Sequence, residues 1–285
     1  GVSRQPDPKL TAAPAVRQPA RAGVPVDFAD GQILVDGKPF FMLAVRHSDT
    51  PLKVLRDAQF NTVWFPNETA PETIEEAIRH GFWIVPSLPL PAVGWDGDKP
   101  KRADPVSLER DADTVARYLR QFLSGDAVLM WDLGQGRTAE ELSRVARTTD
   151  VLKRYDPRRP RAVDLWDGFS SYGTYVDALG AHRWPLFSSL ELAAYKDWLA
   201  QRKALISTGN GSGKLAWTWV QTHLPDWYVY QLTGQTDVEA FADPVGPHPE
   251  QIRILTYLSL AAGFRGLGFW SDRFLANSHH GKDRL

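Results

Sequence analysis

The feature that most constrains this sequence is a regular alternation between short, nearly continuous apolar segments and longer amphipathic segments. Short apolar segments of this kind are typical of strands buried on both faces of a parallel sheet, with helices as the covering layers. Eight of them favour a closed α/β barrel, the (β/α)₈ or TIM barrel, over an open doubly wound sheet. The predicted strands are residues 41–45, 62–65, 83–88, 128–133, 161–165, 179–182, 215–220 and 266–270.

Amphipathic segments separate most of these strands. In the third of them, Leu108, Val115, Leu119 and Phe122 recur at the spacing of one helical face. The stretch near residues 170–178 shows no clear helical pattern. After the eighth strand only about one turn of helix fits before the chain ends, so we expect a truncated eighth helix and a further domain or chain that completes the barrel. The predicted helices are residues 51–58, 71–80, 108–123, 139–154, 190–203 and 249–262.

Two elements precede the first barrel strand. Residues 1–25 are rich in proline, alanine and arginine and have no apolar periodicity, which predicts a flexible arm. Residues 26–35 predict a short β-hairpin around an Asp30-Gly31 turn, and Asp36-Gly37 predicts a second turn. The chain therefore divides into an arm, residues 1–25, and a barrel domain, residues 26–285.

Composition excludes several classes of function. Lysine and arginine number 33 against 34 aspartates and glutamates, so no global field attracts nucleic acid. The absence of cysteine excludes disulfides, thiolate metal ligands and cysteine nucleophiles. No segment approaches the ~20 apolar residues of a membrane span. The 11 tryptophans suit both a protein core and a carbohydrate cleft, in which an indole stacks on a sugar ring.

The functional site of such a barrel lies at the carboxyl ends of its strands. This rule selects polar, acidic and aromatic side chains, the character of a carbohydrate cleft. The histidines lack the paired His-x-His spacing of metal-dependent barrels, so neither a metal nor another cofactor is predicted. The candidate ligand-binding residues are Arg46, His47, Asn67, Asp132, Gln135, His182, Trp219, Gln221 and Trp270, and the candidate catalytic acids are Glu68, Asp164 and Asp272.

Several segments, taken in order, resemble the clan A glycoside hydrolases, the superfamily of β-galactosidase-like enzymes. One is Val35-Asp-Gly-Lys-Pro-Phe-Phe41, ahead of the first strand, and another is Val128-Leu-Met-Trp-Asp-Leu-Gly134 in the fourth. The resemblance extends over about residues 33–272. The other segments that carry it are residues 55–64, 77–86, 155–160, 248–257 and 262–270.

The resemblance implies a carbohydrate ligand and an exported protein, but this sequence departs from the family in two places. The family's fourth strand reads Trp-Asp-Leu-Gly-Asn-Glu, in which the Asn binds the sugar 2-hydroxyl and the Glu is the general acid/base. Here Gln135 and Gly136 occupy those positions. The family's nucleophilic Glu lies on the seventh strand, and residues 215–224 contain no acid. Trp270 matches the family's tryptophan that floors the sugar subsite.

Retaining hydrolysis needs two carboxyl groups roughly 5 Å apart, so these departures predict a barrel that binds carbohydrate without cleaving it. The alternative is an active hydrolase with relocated carboxylates, Glu68 together with Asp164 or Asp272. Glu68 is the best replacement acid because it follows a strand end near solvent. A third interpretation is a non-catalytic structural or assembly module of a larger protein. Asp132 is interpreted as a buried carboxylate bonded to Arg46 or to a backbone amide.

Overall fold

The computed structural model describes residues 25–92, 94–102, 104–122, 126–234 and 246–272. The chain enters the fold through an antiparallel sheet of β1 (Val26–Ala29), β2 (Gln32–Val35) and β3 (Lys38–Phe40). All four residues of its two turns, Asp30-Gly31 and Asp36-Gly37, have positive φ, as two-residue hairpin loops require. The predicted hairpin is confirmed, and a third strand extends it.

The main body is an eight-stranded parallel sheet in which the last strand of the described residues pairs with the first barrel strand. Hydrogen bonds from Leu129 N to Ile84 O (2.8 Å) and from Leu88 N to Asp132 O (2.9 Å) bridge its two remaining edges, which confirms the predicted barrel. A separate ribbon of β7 (Trp95–Asp96) and β8 (Lys99–Pro100) follows the third barrel strand. The barrel strands are β4 (Met42–Arg46), β5 (Thr62–Phe65), β6 (Trp83–Pro86), β9 (Trp131–Asp132), β10 (Arg161–Asp164), β11 (Ala178–Gly180), β12 (Leu215–Gln221) and β13 (Gly266–Trp270).

Helices lie between the barrel strands, mostly close to the predicted bounds. The third begins earlier than predicted because the carboxylate of Asp104 caps it, accepting hydrogen bonds from the backbone N–H groups of Val106 and Ser107 (both 3.0 Å). The fifth is only four residues long, and the seventh was not predicted. The helices are α1 (Leu52–Asp57), α2 (Pro71–Arg79), α3 (Pro105–Leu119), α4 (Leu142–Tyr155), α5 (Phe169–Tyr172), α6 (Leu192–Ile206), α7 (Asp226–Thr233) and α8 (Pro249–Ala261).

Tryptophans fill the barrel interior. Trp64 on β5 and Trp217 and Trp219 on β12 are fully buried, with ring centroids 4.7, 4.9 and 5.2 Å apart. Glycines on neighbouring strands make room for them, because a Cβ atom at Gly180 would collide with the ring of Trp217 and one at Gly268 with that of Trp219. The barrel is therefore packed solid below its mouth.

Two predicted segments lie outside the residues that the structure describes. Residues 1–24 of the predicted arm and the residues after Asp272, where a truncated eighth helix was predicted, are not among the described residues. Within the described ranges, no helix is long and apolar enough to cross a membrane.

Candidate functional site

One group of the candidate side chains points into the mouth of the barrel, which is its opening at the carboxyl ends of the strands. Along β4, Ala44 belongs to the barrel interior and Val45 to the core between sheet and helices, which we call the outer core. Alternation along the strand therefore turns Arg46 inward. The same alternation turns Asp132, Asp164 and Trp270 toward the interior from three other strands.

Asp132 is fully buried and bonded entirely to the protein. Its Oδ2 accepts hydrogen bonds from Trp64 Nε1 (2.8 Å), Ser87 Oγ (2.6 Å) and Gln135 Nε2 (3.2 Å), and its Oδ1 accepts one from the backbone N–H of Gly134 (2.9 Å). Asp132 therefore fixes the end of the fourth barrel strand, with a backbone amide among its partners.

The two candidate glutamines are also engaged by the protein. Gln135 accepts a hydrogen bond from Trp219 Nε1 (2.7 Å). Gln221 is fully buried, accepts a hydrogen bond from the backbone N–H of Leu186 (2.9 Å) and donates one to the backbone carbonyl of His223 (3.0 Å). Trp219 is fully buried as well. Gln221 and Trp219 thus lie beneath the surface of the mouth, where their hydrogen bonds fix the loops that surround it.

Asp164 forms a pair with His182. Its Oδ2 accepts hydrogen bonds from His182 Nδ1 (2.7 Å) and from the backbone N–H of Gly136 (2.8 Å). Its Oδ1 is buried and has no hydrogen-bond partner among the described residues. Burial alone would lower the pKa of His182, but the charge of Asp164 and the hydrogen bond together outweigh burial and raise that pKa above its ordinary value.

This raised pKa predicts how the pair contributes to stability at different pH. The pKa of His182 is higher in the folded than in the unfolded state, so the contribution is fully present below about pH 6.5 and is lost as pH rises through the folded-state pKa. We expect the difference in unfolding free energy between the wild type and His182→Gln to shrink as the pH rises above about 6.5. Urea titrations across this range measure it, and a difference independent of pH would contradict the assignment.

Aromatic and cationic groups surround Trp270. The guanidinium carbon of Arg46 lies 4.5 Å from the centroid of its ring, and the His182 ring lies parallel to it at 6.3 Å. Trp184 lies 5.7 Å from Trp270 and 4.5 Å from His182, centroid to centroid. The strand-end rule also selects Trp184, which follows His182 closely, but Trp184 was not among the candidate ligand-binding residues. All four side chains are partly exposed.

The remaining mouth residues follow β4 and β5. Burial lowers the pKa of Arg46, and the charges of Asp132 and Glu68 oppose this shift. Among the described residues, none accepts a hydrogen bond from the guanidinium of Arg46. Asn67 is half-buried and Glu68 is exposed. Glu68 is therefore the candidate acid that solvent reaches most freely.

His47 and Asp272 form a second pair, on the outer side of the sheet. Asp272 is fully buried, and it accepts hydrogen bonds from His47 Nδ1 (2.7 Å) and from the backbone N–H of Ser48 (2.7 Å). Phe65, an outer-core residue, packs edge-on against the His47 ring. This pair therefore joins the ends of two strands, away from the group around Trp270. In the described part of the chain, no three histidines or carboxylates are grouped to hold a metal ion.

A buried ion network, not predicted from the sequence, supports the loop after β9. Glu141 accepts hydrogen bonds from Arg137 and Arg144, both at 2.6 Å. Arg137 also donates to the carbonyl of Pro91 (2.7 Å) and packs over Gly134, where a Cβ atom would lie 2.5 Å from its Nε. The spacing of Arg137, Glu141 and Arg144 is that of one helical face, and was the available signal.

The barrel is similar in structure to several solved glycoside hydrolases. A β-glucuronidase from an uncultured Clostridium sp. matches with a TM-score of 0.62 and 15% identity, and a β-D-glucuronidase from Dictyoglomus thermophilum with 0.64 and 16%. A GH2 β-galacturonidase from Eisenbergiella tayi bound to galacturonate matches with 0.63 and 14%. Each match covers 87% of this chain and 46% of the other, so this chain spans about half the length of these proteins.

At such identities the likeness shows the fold alone. The chain has the TIM-barrel fold of the GH2 glycoside hydrolases, which confirms the predicted resemblance at the level of structure. No protein-family model matches the sequence, and no curated protein matches it.

Proposed function

We propose that this glycoside hydrolase-like barrel binds a carbohydrate at its mouth and does not cleave it. The observation that carries the proposal is that three of the four candidate carboxylates, Asp132, Asp164 and Asp272, are fully buried and bonded to protein donors. Retaining hydrolysis needs one carboxylate to attack the sugar and a second to donate a proton, roughly 5 Å away. Glu68 is exposed, but one acid cannot fill both roles.

The backbone at Gly136 supports the same proposal. By resemblance, this position corresponds to the family's general acid/base. Gly136 has a φ of +59°, in the left-handed region, which an L-residue such as glutamate adopts at a cost of about 1–3 kcal/mol. No described atom lies within 4 Å of the place that a Cβ atom would occupy. Backbone conformation, rather than crowding, therefore disfavours a glutamate here.

Carbohydrate binding is supported by the side chains that remain available at the mouth. Trp184 and Trp270 are partly exposed, and an indole ring can cover the apolar face of a sugar. The guanidinium of Arg46 supplies N–H donors for hydroxyl groups, and Nε2 of His182, whose Nδ1 binds Asp164, can accept a hydrogen bond from a hydroxyl or, when the ring is protonated, donate one. The structurally similar proteins are named as enzymes of carbohydrates, which supports the same class of ligand here.

A binding and turnover experiment tests this proposal. We expect a glycan array to detect binding and a panel of aryl glycosides to show no hydrolysis, with Glu68→Gln behaving as the wild type does in both. Trp270→Ala should weaken binding about 3- to 10-fold, while Tyr257→Ala, an exposed control on α8, should not. Turnover that Glu68→Gln abolishes would contradict the proposal. A stable protein partner without any glycan binding would favour a structural or assembly module.

One observation favours a second candidate, an active hydrolase with Glu68 and Asp164 as its pair. Asp164 Oδ1 has no hydrogen-bond partner among the described residues and is thus available to a ligand that reaches it. Asp272 has both carboxylate oxygens engaged, which disfavours its pairing with Glu68. The second candidate requires turnover that is lost in both Glu68→Gln and Asp164→Asn while circular dichroism shows that each variant is folded.

A further inference from the structure

The loops after β11 and β12 carry a second group of aromatic side chains at the rim of the mouth. Phe187 follows β11, and Trp227, Tyr228 and Tyr230 belong to α7, which follows β12. The rings of Phe187 and Tyr228 lie 4.1 Å apart, and those of Tyr228 and Trp227 lie 5.7 Å apart. Phe187 is 37% exposed, Trp227 54% and Tyr230 51%. A contiguous exposed aromatic surface of this kind marks a binding surface.

Phe187 is held in a backbone conformation that its side chain disfavours. Its φ is +57°, in the left-handed region, where a bulky residue is a genuine outlier. The buried amide of Gln221 fixes the adjacent Leu186 through its backbone N–H and also holds the backbone carbonyl of His223 in the next loop. Such strain persists only where the surroundings impose it, and it concentrates at functional sites. Gln221 thus ties together the two loops that present the rim aromatics.

The two loops that carry the rim aromatics also carry side chains of the mouth. Trp184 lies 5.7 Å from Trp270 at the centre of the mouth and 5.0 Å from the ring of His223, centroid to centroid. Phe187 follows Trp184 in the same loop, and Trp227 follows His223 in the next. We call the set Trp270, Trp184, Phe187, Tyr228 and Trp227 the aromatic track.

We propose that the aromatic track binds successive units of an oligosaccharide whose first unit occupies the mouth. The ligand is therefore an oligosaccharide rather than a single sugar. An exposed aromatic ring can cover the C–H face of a sugar ring, and the loop that carries Trp184 at the mouth also carries Phe187 of the rim. This inference rests on the proposed carbohydrate-binding function, which it narrows to a class of ligand.

Calorimetry with ligands of increasing length tests the inference. The probe is the sugar series that binds best on the glycan array, from the monosaccharide to the hexasaccharide. We expect the wild type to bind the hexasaccharide more tightly than the monosaccharide. Trp227→Ala and Phe187→Gly should each weaken hexasaccharide binding about 3- to 10-fold and leave monosaccharide binding unchanged.

Phe187→Gly carries its own control for folding. Glycine adopts positive φ without strain, and this relief offsets the packing against Tyr228 that the variant loses, so its Tm should stay near that of the wild type while it binds the hexasaccharide less tightly. Unchanged monosaccharide binding in the same variant would show that the mouth is intact, which a general loss of structure would not allow. Tyr257→Ala, at an aromatic residue that is 64% exposed on α8, should change neither.

The outcomes distinguish the track from the mouth. Equal wild-type affinity for the monosaccharide and the hexasaccharide, or unchanged hexasaccharide binding in both track variants, would overturn the track and leave the mouth as the carbohydrate site. An absence of binding at every length would overturn both proposals. Trp270→Ala should weaken binding at all lengths, because every ligand in the series uses the mouth.

Discussion

Replacing Glu141 by alanine is expected to lower the free energy of unfolding by about 3–5 kcal/mol. Glu141 is fully buried, and its two carboxylate oxygens accept hydrogen bonds from Arg137 and Arg144, both at 2.6 Å. The substitution leaves the buried guanidinium of Arg137 without its carboxylate partner and leaves that of Arg144 with Asp111 alone. Urea denaturation measures the loss.

The neighbouring residue provides a matched control. Glu140 pairs with the exposed Arg102 at the surface, so Glu140→Ala should leave the unfolding midpoint unchanged. Glu141→Gln keeps the shape of the side chain and one acceptor, so it should lose less stability than Glu141→Ala. Equal effects of the two alanine substitutions would show that the buried network does not support the loop after β9.

Asp272→Ala is expected to lower the free energy of unfolding by a similar amount, about 3–5 kcal/mol. The substitution removes the acceptor of His47 Nδ1 and of the backbone N–H groups of Ser48 and Thr50, and so separates the end of β13 from the end of β4. Glu68→Gln, at an exposed side chain, is the control and should unfold as the wild type does. An Asp272→Ala protein of wild-type stability would make Asp272 a candidate catalytic acid again.

The barrel could be predicted because strands and helices differ in the period of their apolar residues. The strands Thr62–Phe65 and Gly266–Trp270 agree with prediction at both ends. Helix α7 was missed because its sequence, Asp-Trp-Tyr-Val-Tyr-Gln-Leu-Thr, is largely apolar and aromatic and shows no helical stripe. Tyr228 of this helix packs against Phe187 in the loop after β11, and the apolar pattern of the helix itself gives no information about such a contact.

The candidate site could be predicted only as a set of strand-end positions. Alternation shows that Arg46 and His47 point to opposite sides of the sheet, and the structure places only Arg46 in the mouth. The sequence does not show which side chains are engaged by the protein itself. The partners that bury Asp132 and Gln221, such as Trp64 and Leu186, are distant in sequence and become neighbours only when the barrel closes.

The glycine–tryptophan contacts inside the barrel also restrict how this core can change over evolution. The interior volume is fixed, so an increase in side-chain volume on one strand must be balanced by a decrease on the neighbouring strand. Position 268 can accept a Cβ atom only if the indole of Trp219 opposite it shrinks, and position 180 is coupled to Trp217 in the same way. Substitutions in relatives of this chain should therefore occur in pairs across adjacent strands, so that these positions covary.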